Sequence, residues 1–214
     1  QELSINNNDD DNRSTLRACL GACFEVGNAQ AAHDIWNTTF SFLNRKDEGD
    51  DETATPRTPP PPSPNDFSTL VATYCRSSDS KWWRKAWTVL VEDAPKQLLQ
   101  RHEAASSGDD EYNNNMVLYV PVDAYNALLH RLDQEHKWKE AIQLLHIMDH
   151  QQQQQKPSSS VQNHQQQQRH PFPTVATYRL VIETCIHANQ GEQAFQILQT
   201  MMKKPPTIFV KPTG

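Results

Sequence analysis

His146 and His150 stand four residues apart, the spacing that sets two imidazoles on one face of a helix where they can share a metal ion. No carboxylate or third ligand stands beside them and a glutamine tract follows at once, so both read as surface histidines. Trp82, Trp83, Trp87 and Trp138 offer flat faces on which nucleobases stack. Trp83, Trp87 and Trp138 also fall on apolar stripes, which assigns them to a core, and Trp82 is assigned to packing between units. Lys81, Arg84, Lys85, Arg131, Lys137, Lys139, Lys203 and Lys204 are the cations available to phosphate, but most fall on turns and second helices and read as a solvated face. The four cysteines form no Cys-x-x-Cys pair. Cys19, Cys23 and Cys185 lie on apolar stripes and Cys75 ends a helix, the pattern of buried small hydrophobes in a reducing compartment. There is no nucleophile–base pair, phosphate loop or paired-carboxylate motif. The chain therefore reads as non-catalytic, with no cofactor and no metal.

The elements that must position these residues repeat. Residues 125–148 superimpose on residues 178–201, and sixteen residues separate Tyr125 from Ala141 and Tyr178 from Ala194 alike. Tyr125, Leu128, Leu129 and Leu132 recur at i, i+3, i+4, i+7, as do Tyr178, Val181, Ile182 and Cys185. A second stripe follows a polar break: Trp138, Ala141, Ile142, Leu145 and Met148 in one copy, Gly191, Ala194, Phe195, Leu198 and Met201 in the other. Each unit is thus two amphipathic helices joined by a tight turn. Two weaker copies lie upstream. Leu16, Cys19, Leu20 and Cys23 precede Ala29, Ala32 and Trp36. Phe67, Leu70, Val71 and Tyr74 precede Trp83, Ala86, Trp87 and Leu90, with a turn near 76–81 that is three residues longer. Asp66 and Asp123 are the expected helix caps. Repeats of this size predict a stacked all-α architecture.

The connectors differ in composition. Across 214 residues the hydrophobic fraction is 36%, and the mean hydropathy is −0.79. The polar excess sits between units: an acidic and proline-rich linker over 44–65, a polar linker over 103–116 and a glutamine-rich linker over 151–172. With an N-terminal segment over 1–12 they are expected to be disordered, because they bury too little apolar surface to offset their ordering entropy. The run Pro59 to Pro62 reads as part of a linker. The units then fall at 13–43, 66–102, 117–150 and 173–214. No apolar run approaches the ~20 residues of a membrane span, and no stretch of this sequence reads as a signal peptide. A chain opening on Gln1 and closing on Gly214 is expected to be a piece of a longer protein.

At the level of motif, Thr177-Tyr178-Arg179, the following apolar stripe, a glycine-containing turn, Ala194, Leu198 and Met201 resemble a pentatricopeptide repeat. Ala124-Tyr125-Asn126, leading to Lys139-Glu140-Ala141 and Met148, does so too, and Val210-Lys211-Pro212-Thr213 looks like that repeat's closing segment. The resemblance implies an α-solenoid of about four helix-turn-helix repeats that binds single-stranded RNA in a mitochondrion or plastid. First helices would line the concave face and one base would be read per repeat. By position, the reading residues it implies are Arg17, Ser68, Asn126 and Arg179, with second positions near Ser63, Pro121, Thr174 and Thr213. Ser68 and Asn126 suit base reading, and the two arginines suit phosphate contact or stacking. Pro121 has no side chain that reads a base edge.

The resulting expectation is a non-catalytic RNA-binding module acting on organelle transcripts. Two rivals stand beside it: a protein–protein scaffold that grips a helix or peptide on the same surface, and the recognition arm of an RNA-processing enzyme whose catalytic domain lies elsewhere. A formal net charge of −6 argues against RNA, since phosphate contacts favour a basic footprint. Part of that charge, Asp47 to Glu52 and Asp109 to Glu111, belongs to the linkers.

Overall fold

A computed structural model describes residues 8–40, 62–99, 119–153 and 172–203, with side chains from 13 to 40 and from 119 to 149 in the first and third stretches. Every regular element among these residues is helical. They pair as four hairpins. The first joins α1 (Asn8–Val26) to α2 (Ala29–Phe40). The second joins α3 (Pro64–Arg76) to α4 (Lys81–Trp87). The third joins α5 (Val122–Gln134) to α6 (Trp138–Gln153), and the fourth α7 (Val175–His187) to α8 (Gly191–Lys203).

Three of the turns share one device. Gly27, His136 and Asn189 each stand eleven residues after the first-helix anchor (Leu16, Tyr125 or Tyr178) and have φ of 70°, 54° and 57°. The next residue's N–H reaches back five residues: Asn28 to the Cys23 carbonyl at 2.9 Å, Lys137 to Leu132 at 2.8 Å, Gln190 to Cys185 at 2.7 Å. This left-handed closure satisfies the orphan carbonyls of the first helix and reverses the chain at once. The longer turn after α3 lacks it, and Ser77 is extended.

Helix starts differ from the sequence expectation. Asp66 is not the cap of α3. Ser63 is the N-cap, and Asp66, one turn in, closes a capping box by accepting from the Ser63 N–H at 2.8 Å. Pro64 follows at the first helical position, where no N–H is needed. Thr174 and Thr177 form the equivalent box on α7. Asp123 lies in the first turn of α5, whose cap position is Pro121. Two linker boundaries also move. Helix α1 takes in 8–12 from the segment expected to be disordered, and α6 runs to Gln153, into the glutamine tract. The remainder of that N-terminal segment and the remaining linker residues lie outside the described residues.

Packing follows a simple order. Each second helix packs on its own first helix, and consecutive first helices pack on one another, α1 on α3, α3 on α5 and α5 on α7. Second helices α2, α4 and α6 also touch the first helix of the next hairpin. One apolar core runs through all four hairpins. Leu20, Phe67, Leu70, Leu128, Leu129, Leu144 and Tyr178 are wholly buried in it, and Ala32, Ala86 and Ala141 are the small residues at the hairpin crossings. Helix α4 continues through a π-helical stretch, Thr88–Asp93, which the sequence periodicity did not signal. The widened turn sends both Val89 and Leu90 into the core.

Candidate nucleic-acid interface

Of the four residues that the resemblance implies, the structure brings two together. Asn126 on α5 and Arg179 on α7 line one shallow groove of about 200 Å³ between these successive first helices, with His130, Ala176, Leu180 and Glu183. Arg179 is 75% exposed and its Nε donates to Glu183 Oε1 at 2.7 Å, which raises its pKa further above the ordinary value. Asn126 is half-buried. Its Oδ1 accepts from the Thr177 hydroxyl at 2.8 Å, and its Nδ2 has no hydrogen bond among the described residues. The amide therefore faces the groove as a donor.

Arg17 occupies the equivalent place in the first hairpin. Its Nε donates to Asp66 Oδ1 at 3.1 Å, and Nη2 to Ser63 Oγ at 3.4 Å. The residue after the anchor in one first helix thus bonds the residue before the anchor in the next, Arg17 to Asp66 and Asn126 to Thr177. Ser68, in the second hairpin, is half-buried. The second-position residues have local duties. Ser63 and Thr174 are N-caps whose hydroxyls accept from the N–H groups of Asp66 at 3.3 Å and Thr177 at 3.2 Å, and Pro121 starts α5. Thr213 lies outside the described residues.

The sequence reading missed how polar groups latch the hairpins. His187 Nδ1 meets Asp133 Oδ1 at 2.8 Å, joining α7 to α5. His33 Nδ1 meets the Tyr74 hydroxyl at 2.8 Å, joining α2 to α3. Burial, and then Lys85, push the His33 pKa below its usual value, with Asp34 opposing. Burial is also the main force raising the Tyr74 pKa. Trp82 stacks on Tyr74 at 5.1 Å and meets the His33 ring edge-on at 5.6 Å, so it packs between hairpins as expected. Arg131, assigned to a solvated face, is instead buried. Its guanidinium donates to the Ser78 carbonyl at 3.0 Å and to Glu135 at 2.6 Å, while its Nε finds no partner among the described residues.

Other assignments sort by burial. Cys23 and Cys185 are buried, whereas Cys19 is exposed. Burial pushes the Cys75 thiol up to about 12. Trp83 is buried and Trp87 and Trp138 are partly so; Arg84 lies over the Trp83 ring at 5.5 Å and Lys139 over Trp138 at 5.4 Å. His146 is exposed, and the side chain of His150 lies outside the described residues. No group of three potential metal ligands occurs among the described residues, and no helix there is long and apolar enough to cross a membrane.

No protein-family profile matches the chain, and no curated protein matches it.

Proposed function

We propose that the chain is a pentatricopeptide-type α-solenoid that binds single-stranded RNA along its first helices and acts, without catalysis of its own, on the transcripts of a mitochondrion or plastid. The observation that carries the reading is the α5–α7 groove. There the residue after the anchor in two successive hairpins, Asn126 and Arg179, meets at one site with a free amide donor and an exposed cation. A donor beside a guanidinium suits a base edge and its phosphate or π-face.

Packing order supports the choice of face. First helices touch one another directly, while second helices pack chiefly on first helices, so the first helices form the continuous layer along which a strand could lie. Where side chains are described, 12 lysines and arginines meet 13 aspartates and glutamates. With Asp9, Asp10 and Asp11 at the start of α1 the balance of the helices is acidic, so the reading rests on the groove and not on net charge.

Fluorescence anisotropy with a randomised single-stranded RNA pool tests the reading. Saturable binding that weakens with salt is expected, with duplex RNA of equal length binding less well. Arg179→Ala is the cleaner probe, because the ion pair it breaks is at the surface. Its RNA affinity should fall at least several-fold with helix content unchanged. RNA binding no better than that of a non-binding control protein would abandon the RNA reading in favour of a protein-binding scaffold.

A further inference from the structure

A second groove, on the second helices, carries polar groups that nothing in the fold uses. It lies between α4 and α6, measures about 280 Å³ and is lined by Trp83, Arg84, Trp87, Thr88, Glu140 and Gln143. These are the second and third hairpins, each with a hairpin on either side, so the walls of this groove do not depend on the ends of the array. Trp83 is buried and Trp87 packs against the core while remaining partly exposed. Arg84 and Gln143 are exposed, and Thr88 and Glu140 are half-buried. Thr88 donates its hydroxyl to the Arg84 carbonyl at 3.2 Å and opens the π-helical stretch. Widened turns of this kind recur at binding sites.

The side chains around the groove define the chemistry of a ligand. The Trp87 indole N–H and the Gln143 amide make no hydrogen bond among the described residues. The Arg84 guanidinium lies over the Trp83 ring at 5.5 Å and makes no ion pair there, and Glu140 has no cationic partner. The groove thus combines aromatic walls, free N–H donors and one uncompensated carboxylate. Its match has flat apolar rings, carbonyl acceptors without donors of their own, and a cation. A proline-rich segment in polyproline II supplies the first two: its rings lie on aromatic side chains, its helix has no internal hydrogen bonds to occupy the carbonyls, and proline has no N–H. An arginine or lysine in the segment supplies the third. Single-stranded RNA fits less well, because Glu140 repels phosphate and Arg84 covers a Trp83 face on which a base would stack.

We propose that the α4–α6 groove binds a proline-rich segment of a partner protein, held in polyproline II with a basic residue paired to Glu140. The chain's own run, Pro59 to Pro62, has the composition without the reach. Pro62 adjoins Ser63, the cap of α3, whereas Trp83 follows the turn at the far end of that 13-residue helix, about 20 Å away at 1.5 Å per residue. Pro59 stands three residues before Pro62, about 9 Å of polyproline. The occupant therefore comes from another molecule. The site is separate from the α5–α7 groove and independent of RNA binding there.

Fluorescence anisotropy of the 214-residue chain tests this, with a labelled peptide that has the sequence of residues 54–62, in which Arg57 stands among prolines. Saturable binding is expected. It should weaken several-fold when the peptide's prolines become alanine, and likewise in Glu140→Lys and in the exposed-site variant Gln143→Ala, with helix content by circular dichroism unchanged in both. A peptide carrying Arg57→Glu should recover affinity for Glu140→Lys. Single-stranded RNA should not displace the peptide. The absence of saturable binding overturns the proposal, as does equal binding of the alanine peptide or unchanged affinity in both variants. Displacement by RNA overturns it in favour of a nucleic-acid site. Binding that appears only after the chain's own Pro59, Pro60 and Pro61 are replaced by alanine overturns it in favour of self-docking.

Discussion

Cutting the hydrogen bond between Asn126 and Thr177 separates what this residue does for the fold from what it does for a ligand. The bond is short, 2.8 Å, and joins α5 to the first turn of α7. A neutral pair of this kind contributes about 0.5–1.5 kcal/mol net. In Asn126→Ala the Thr177 hydroxyl is not orphaned, because Thr174 Oγ1 lies 3.1 Å away and can take its proton. The cost should therefore fall at the low end, about 0.5–1 kcal/mol. Thr177→Val removes the same bond and also the acceptor for the Thr174 N–H, which it meets at 3.1 Å. A lost cap interaction costs about 0.5–2 kcal/mol, so this variant should be the less stable of the two. Urea unfolding of both single variants and the double variant gives the coupling, expected at about 0.5–1 kcal/mol. A coupling below about 0.3 kcal/mol, within ordinary additivity, would show that the two side chains do not hold the hairpins together in solution. RNA affinity then reads the other role. If the amide serves only the joint, Asn126→Ala and Thr177→Val should change affinity equally; if Asn126 also reads a base, Asn126→Ala should lose clearly more.

Four further outcomes follow from the packing and the titrating groups. Leu129→Ala, at a wholly buried site in α5, should cost about 2–5 kcal/mol in urea unfolding; a cost below about 0.5 kcal/mol would remove Leu129 from the packed core. Gly27→Ala should destabilise by about 1 kcal/mol from backbone strain alone at φ 70°, since a Cβ there meets only Arg76 Cγ at 4.0 Å, and a stability equal to wild type would refute that. Because burial, then Lys85, lower the His33 pKa, the unfolded chain binds this proton more tightly. The associated stability is complete above about pH 6.5 and is lost as pH falls from there through the folded value. Melting temperature should accordingly fall less steeply between pH 7.5 and 5.5 in His33→Asn than in wild type, and equal slopes would exclude His33 as a contributor. With a thiol reagent at pH 8, exposed Cys19 should react quickly, Cys23 and Cys185 only as the chain opens, and partly buried Cys75 slowly because its thiol is pushed up to about 12; four equally fast thiols would contradict the shielding of the other three.

The hairpins were legible because their signal is local. Tyr125, Leu128, Leu129 and Leu132 mark a helix face by spacing alone, and all four are buried. Where each hairpin turns was legible as a polar break. The left-handed closure showed itself by residue type only at Gly27, since His136 and Asn189 take the same conformation without glycine. Capping was misread by one turn at Asp66 because its carboxylate serves the box from inside the helix, with Ser63 as the cap. The latches were hidden for a different reason. Arg17 and Asp66 are 49 residues apart and Asn126 and Thr177 are 51, so no periodicity within a helix announces either pair.

Burial is where a repeat pattern alone misleads. By spacing, Cys19 is as good a core residue as Val181, and Leu198 as good as Leu145. Spacing gives each position its orientation relative to neighbouring helices, but burial depends on whether a neighbouring helix occupies that side. Interior hairpins have such neighbours on both sides; the described array does not supply them for the outer row of α1 or the far row of α7 and α8. The same register therefore produces a core residue in the middle and an apolar surface at the ends.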